Sequence, residues 1–227
     1  HSIAVSNLAS DAAQRIGANV QLVRAGALYH DIGKLANPAF FTENQHGVNP
    51  HDALPPERSA AIVVNHVADG LKLADKAGLP KVIRDFIREH HGAGLAKYFY
   101  ITYCRNHPGE EVDKSVFSYP GPNPQTRETS VMMMADSVEA ASRSLPEHTR
   151  EAITELVNRI VDSQIADGLH NESTLSFRDV AKIKEAFIKR LMTIYHSRIA
   201  YPSATKKTEA APAAAANPAT PPQGSKQ

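Results

Sequence analysis

Cysteine is nearly absent. Cys104 is the only one in 227 residues, which excludes an intrachain disulfide and a zinc site built on several thiolates. There is no tryptophan. Neither sign of charge is in excess: 25 Lys and Arg against 24 Asp and Glu leave a formal +1, so no basic field argues for a DNA or RNA polymer as partner. No apolar run approaches the ~18 residues of a membrane span, and no signal peptide precedes the first helix. An initiator Met is also missing. The chain starts on His1 and reads as a piece of something longer. What is present is ordinary for a globular chain, with 42% apolar and 22% charged residues and enough length to bury one core. The exception is histidine, of which there are 11.

The first 200 residues read as successive helices, so the fold class is all-α. Apolar positions recur at helical spacing over 2–16, over 20–34 up to Asn37-Pro38, over 56–75 after Pro56, and from Leu79-Pro80 to Gly92. Residues 37–56, with four prolines and three asparagines, read as a loop. An aromatic-rich helix is predicted over 95–106, one weak strand over 115–119, and helices over 126–144, 147–167 and 177–199. The run Tyr119-Pro120-Gly121-Pro122-Asn123-Pro124 excludes helix where it stands. From Pro202 the composition turns to Ala, Pro, Thr, Gln and Lys. That gives a helical domain over 1–201 and a disordered tail over 202–227.

His30-Asp31-Ile32-Gly33-Lys34 closes the second helix, His66 lies within an apolar helix, His90-His91 ends another, and Asp136 sits in an apolar run. Each alone is compatible with a satisfied core histidine or an exposed carboxylate. Together, imidazoles and carboxylates facing one core are costly to bury unless they bind something. Five His and two Asp make a mixed N/O donor set, suited to Fe, Mn or Zn rather than to Mg or Ca. Seven donors exceed the four of a structural zinc site and suit two metals sharing a carboxylate. The other histidines (His46, His51, His107, His148, His170 and His196) fall mostly in loops or at helix ends and read as structural or solvated, although His46 and His51 lie near enough in sequence for one to touch substrate. Cys104 reads as a small buried residue.

The order His1, His30-Asp31, His66, His90-His91, Asp136 resembles that of the HD-domain metal-dependent phosphohydrolases. The segments Phe117 to Glu128 and Ala135 to Arg143 resemble the cytoplasmic HD domain of the seven-transmembrane HD family, which hydrolyses cyclic di-AMP. The resemblance covers about residues 1–200. It implies a helical bundle with a dinuclear site in its core. His1, His30, Asp31 and Asp136 would hold one divalent transition metal (iron or manganese, with zinc possible). His66, His90, His91 and Asp31 would hold the other, with Asp31 as the bridge. The implied reaction is attack of a metal-bridging hydroxide on phosphorus, opening a cyclic dinucleotide to its linear form, with Asp31 and Lys34 in the catalytic set.

For substrate contacts the residues leave alternatives open. Lys34 reads as a phosphate contact or a solvated helix-end lysine, and Arg143 as a phosphate or base contact or a surface arginine. Tyr119 is the best stacking platform for a purine among aromatics that otherwise suit core packing. Adenine rather than guanine comes from the resemblance. In keeping with it, Gly92-Ala93-Gly94-Leu95 follows His91 where the cyclic di-GMP branch has Gly-Tyr-Pro, and Gly33-Lys34 stands where guanosine tetraphosphate hydrolases have Glu-Asp. Hydrolysis of another cyclic nucleotide, or sensing without cutting, is the alternative. The resemblance also implies a full-length protein embedded in the membrane through segments outside this chain, with this soluble part at the cytoplasmic face.

Overall fold

The computed structural model describes residues 1–45 and 47–196. The described residues form helices and turns: α1 (Ser2–Ile16), α2 (Val20–Tyr29), α3 (Pro56–Lys76), α4 (Lys81–Glu89), α5 (Lys97–Asn106), α6 (Arg127–Ser142), α7 (Arg150–Ala166) and α8 (Phe177–His196). Short 3-10 turns lie between them. The expected tail over 202–227, the boundary at 201, the last residues of the helix expected to reach 199, and His46 lie outside the described residues.

Local sequence sets the helix ends. Gly17 closes α1 in the left-handed region (φ 70°), and the Asn19 side chain accepts the Leu22 amide to start α2. Thr126 and Thr129 cap α6 reciprocally. Helix α6 is the centre of the bundle. Val131, Met132, Met134, Ala135 and Val138 have no exposed surface, so α6 is apolar on more than one face, as a fully surrounded helix must be. Around it α1, α2, α4, α7 and α8 contribute Leu8, Val23, Phe86, Ile153 and Phe187 to one apolar cluster. Burying a side chain of this size contributes about 1.5–3 kcal/mol. A second cluster joins Ala60 and Val67 of α3 to Phe117 and Tyr119.

Four expectations need correction. The second helix does not run to Lys34. It ends at Tyr29, with His30 as its cap, and Ile32–Ala36 form a 3-10 turn. The reason is the close approach of that turn to α3, since a Cβ on Gly33 would stand 1.8 Å from the His66 carbonyl oxygen. Residues 37–56 carry three further 3-10 turns, Pro38–Phe40, Thr42–Asn44 and Pro50–Ala53. Residues 115–119 do not form a strand. Lys114–Phe117 is a 3-10 turn, and pairing is limited to one bridge between Leu95 and Ser118. Cys104 is half-buried rather than buried, because α5 places no residue fully inside.

Candidate metal centre

The seven histidines and aspartates singled out in the sequence converge in space. Ligand-capable atoms of His1, His30, Asp31 and Asp136 lie within 4.8 Å of one another, and so do those of His66, His90 and His91. Helix ends deliver most of them: His1 precedes α1, His30 and Asp31 follow α2, and His90 and His91 follow α4. His66 and Asp136 project from the middles of α3 and α6. His30 and His90 are fully buried, and His66 and Asp136 nearly so.

Asp31 joins the two groups. Its Oδ2 lies 3.1 Å from His30 Nε2 and 3.4 Å from His1 Nε2. Its Oδ1 lies 3.4 Å from His66 Nε2 and 3.6 Å from His90 Nε2. One carboxylate thus offers an oxygen to each set of imidazoles.

The second nitrogen of most rings is tied down. Nδ1 of His30 donates to the Ala27 carbonyl (2.8 Å), that of His90 to Ile87 (2.9 Å), and that of His66 to Val63. A carbonyl oxygen can only accept, so each Nδ1 carries the hydrogen, and the inward-facing Nε2 is the atom that offers a lone pair whenever the ring is neutral. His1 Nδ1 lies 2.7 Å from Glu139 Oε2, with the same consequence.

These atoms fit a pair of cations. Asp31 Oδ1 is buried without a hydrogen-bond partner, its nearest imidazole nitrogens standing 3.4 and 3.6 Å away, a costly arrangement unless something else satisfies it. The Nε2 atoms of His66 and His90 stand 3.0 Å apart, lone pair toward lone pair. That is the spacing of neighbouring ligands at right angles on a metal with bonds of about 2.1 Å. A mixed imidazole and carboxylate set is one that transition metals accept.

Electrostatics divide the two groups. Burial alone would lower the His1 pKa, but its bonds to Asp136 and Glu139 and the Asp136 and Asp31 charges outweigh burial and raise it to about 9. His30 behaves alike: against burial, the Asp31 charge and the contact with Asp136 raise it to about 10. Asp31 and Asp136 stay far below the usual carboxylate range; burial opposes this, but the histidines facing them prevail. His66 goes the other way, to about 4, through burial and the neighbouring His90. Burial and its histidine neighbours also hold His91 well below the ordinary imidazole value. In the metal-free chain, protons on His1 and His30 therefore balance two carboxylates. A divalent cation would replace them charge for charge.

The three residues expected to touch substrate are placed differently. Lys34 Nζ lies 2.7 Å from both Asp31 Oδ2 and Glu43 Oε1, and over the ring of Phe41 at 5.1 Å. Tyr119 stacks on His91 with ring centroids 4.1 Å apart and is only 9% exposed, so protein already covers one of its faces. Arg143 puts Nε (2.9 Å) and Nη2 (2.6 Å) on Glu139 Oε1. Of the remaining histidines, His51 bonds the Phe40 carbonyl, His107 that of Tyr103, His148 that of Ser142, and His170 the Gln164 side chain.

Two residues escaped the sequence reading. Glu43 pairs with Lys34 from the proline-rich loop, across a path no periodicity describes. Glu139 is the second. It sits one turn after Asp136 and one turn before Arg143, a spacing that marks a single helix face.

The fold is a helical bundle around a cluster of histidines and aspartates, and the chain belongs to the HD domain family, whose model matches residues 1–141. It is 41% identical over 210 residues to the Bacillus subtilis protein named Cyclic-di-AMP phosphodiesterase PgpH, and 42% identical over 203 residues to the protein of that name from Listeria monocytogenes. These matches take in 92% and 89% of this chain but only 29% and 28% of the relatives, so the chain spans under a third of their length. The crystal structure of the L. monocytogenes PgpH HD domain in complex with cyclic-di-AMP superposes with a TM-score of 0.83 at 42% identity, covering 88% of this chain and 92% of that one. No helix among the described residues is long and apolar enough to cross a membrane.

Proposed function

We propose that the chain is a phosphodiesterase domain that opens cyclic di-AMP to the linear dinucleotide at two divalent transition metals, iron or manganese in preference to zinc. One metal would be held by His1, His30, Asp31 and Asp136, the other by His66, His90, His91 and Asp31. When bound, such a pair supplies Lewis acidity at a phosphoryl oxygen and brings the pKa of water toward neutrality. The chain's own groups do the rest. Asp31, which offers one oxygen to each set of imidazoles, would set the separation of the two sites. Lys34 keeps its charge, since Asp31 and Glu43 outweigh the burial that would lower its pKa. It is thus available to a non-bridging phosphoryl oxygen as negative charge builds there. Tyr119 stays protonated, its pKa raised by burial and by the Asp136 and Asp31 charges, and offers its edge beside His91. Arg143 acts through Glu139.

The observation that carries this reading is the division of the Asp31 oxygens between two imidazole sets. The relatives named for cyclic di-AMP support the substrate. The longer protein would be membrane-anchored, with this domain at the cytoplasmic face.

Incubation of the chain with cyclic di-AMP and Mn²⁺ or anaerobic Fe²⁺, followed by chromatography, tests it. The linear dinucleotide is expected. Unchanged substrate at saturating binding would make the domain a sensor and overturn the enzymatic reading.

A further inference from the structure

Two cavities flank the metal centre, and their charges differ. One, of about 630 Å³, opens beside Lys34 and is also lined by Glu43 and Asp52. Its cation already pairs with Asp31 and Glu43, so carboxylates dominate there. The other, of about 700 Å³, opens beside His91 and Tyr119. Lys97, Lys114 and Arg159 line it with a single carboxylate, Asp167. Lys97 is engaged by Asp167 at 3.1 Å and by Ser163 at 3.2 Å. Lys114 lies over the Tyr100 ring at 5.9 Å, and neither it nor Arg159 has an ion-pair partner among the described residues. Leu95, Met133, Ile160 and Leu169 give the same cavity an apolar side.

A cyclic dinucleotide brings two phosphates. With one at the metals, the other needs cations elsewhere, and its nucleoside needs an apolar surface. We infer that the cavity beside His91 holds the nucleotide that is not being cut, with its base against Leu95, Met133, Ile160 and Leu169 and its phosphate on Lys114 and Arg159. This rests on the phosphodiesterase reading above. The unpaired cations explain why this cavity, and not its neighbour beside Lys34, takes the second phosphate: Glu43 and Asp52 would repel it there. Lys114 and Arg159 come from different elements, one from the turn Lys114–Phe117 and one from α7, and both line this cavity.

Steady-state kinetics of the full chain with cyclic di-AMP and with bis(p-nitrophenyl) phosphate, a diester with one phosphate, test the inference. Lys114→Ala and Arg159→Ala should each raise KM for cyclic di-AMP about tenfold, and together about a hundredfold, with kcat within about twofold. The kcat/KM ratio of cyclic di-AMP to the small diester should fall by the same factors, while Arg159→Lys recovers most of the loss. An unaltered KM for cyclic di-AMP in the double variant overturns the subsite and leaves the phosphodiesterase reading standing. So does an equal loss on both substrates, which would place the two cations at the metals instead. If the unsubstituted chain hydrolyses the small diester but not cyclic di-AMP, the substrate reading fails, and the subsite with it.

Discussion

Each histidine whose Nδ1 is tied to a carbonyl or carboxylate has its ring orientation set before any cation arrives. For His30, His66 and His90 the partner is the carbonyl three residues earlier on the same helix, so the helix that presents the ring also orients it. His1 differs in being oriented by a side chain, Glu139 of α6. Arg143 holds Glu139 in turn. Glu139→Gln, which keeps the shape but not the charge, is expected to weaken the His1 site about 10–100-fold. Elemental analysis after dialysis should then find close to one metal per chain, and two retained metals would show that Glu139 does not position His1. Asp31→Ala removes the oxygens offered to both groups, so both metals and turnover should be lost. A variant that still carries two metals refutes the shared carboxylate.

Among the elements, the turn after α2 shows what the sequence could and could not disclose. His30-Asp31 was legible as a pair at the end of a helix, but not that α2 stops before Asp31. Periodicity sees apolar spacing, whereas the stop is dictated by the His66 carbonyl, which is remote in sequence. Gly33→Ala should therefore destabilise the fold by about 1–3 kcal/mol or more through a forced backbone shift. At the usual scaling for a chain of this size that is a fall in Tm of about 2–12 °C, readable by calorimetry. An unchanged Tm would contradict the close approach of this turn to α3.

The aromatic run of α5 was legible as a helix, but its shallow packing was not, because exposure depends on what stands opposite. Tyr98 remains 74% exposed, while Phe117, in the neighbouring turn, is buried. After α7, His170 is held neutral by burial, with its pKa lowered to about 4 from 6.5. The unfolded chain takes up that proton first as pH falls. The stabilisation is thus complete above pH 6.5 and lost on acidification through about pH 4. It amounts to at most about 3 kcal/mol. His170→Gln should show a flatter dependence of urea stability on pH over that window, and parallel profiles would refute the assignment.

For the molecule as a whole, the helical class and the seven histidines and aspartates that converge at the candidate centre were legible because the order of the motifs along the chain does not depend on the route between them. The surroundings of the donors were less so. Glu43, Glu139 and the two flanking cavities arise from segments that meet only in the folded bundle. The same bundle concentrates charge locally in a nearly neutral chain: Lys114 and Arg159 line one cavity beside the centre.

The most direct test is an anaerobic titration of the metal-free chain with Fe²⁺ or Mn²⁺ while cyclic di-AMP hydrolysis is followed. Turnover should rise to a plateau at two equivalents per chain, with the linear dinucleotide as product. A plateau at one equivalent, or no turnover at any loading, would contradict a reaction carried by two metals on a shared Asp31.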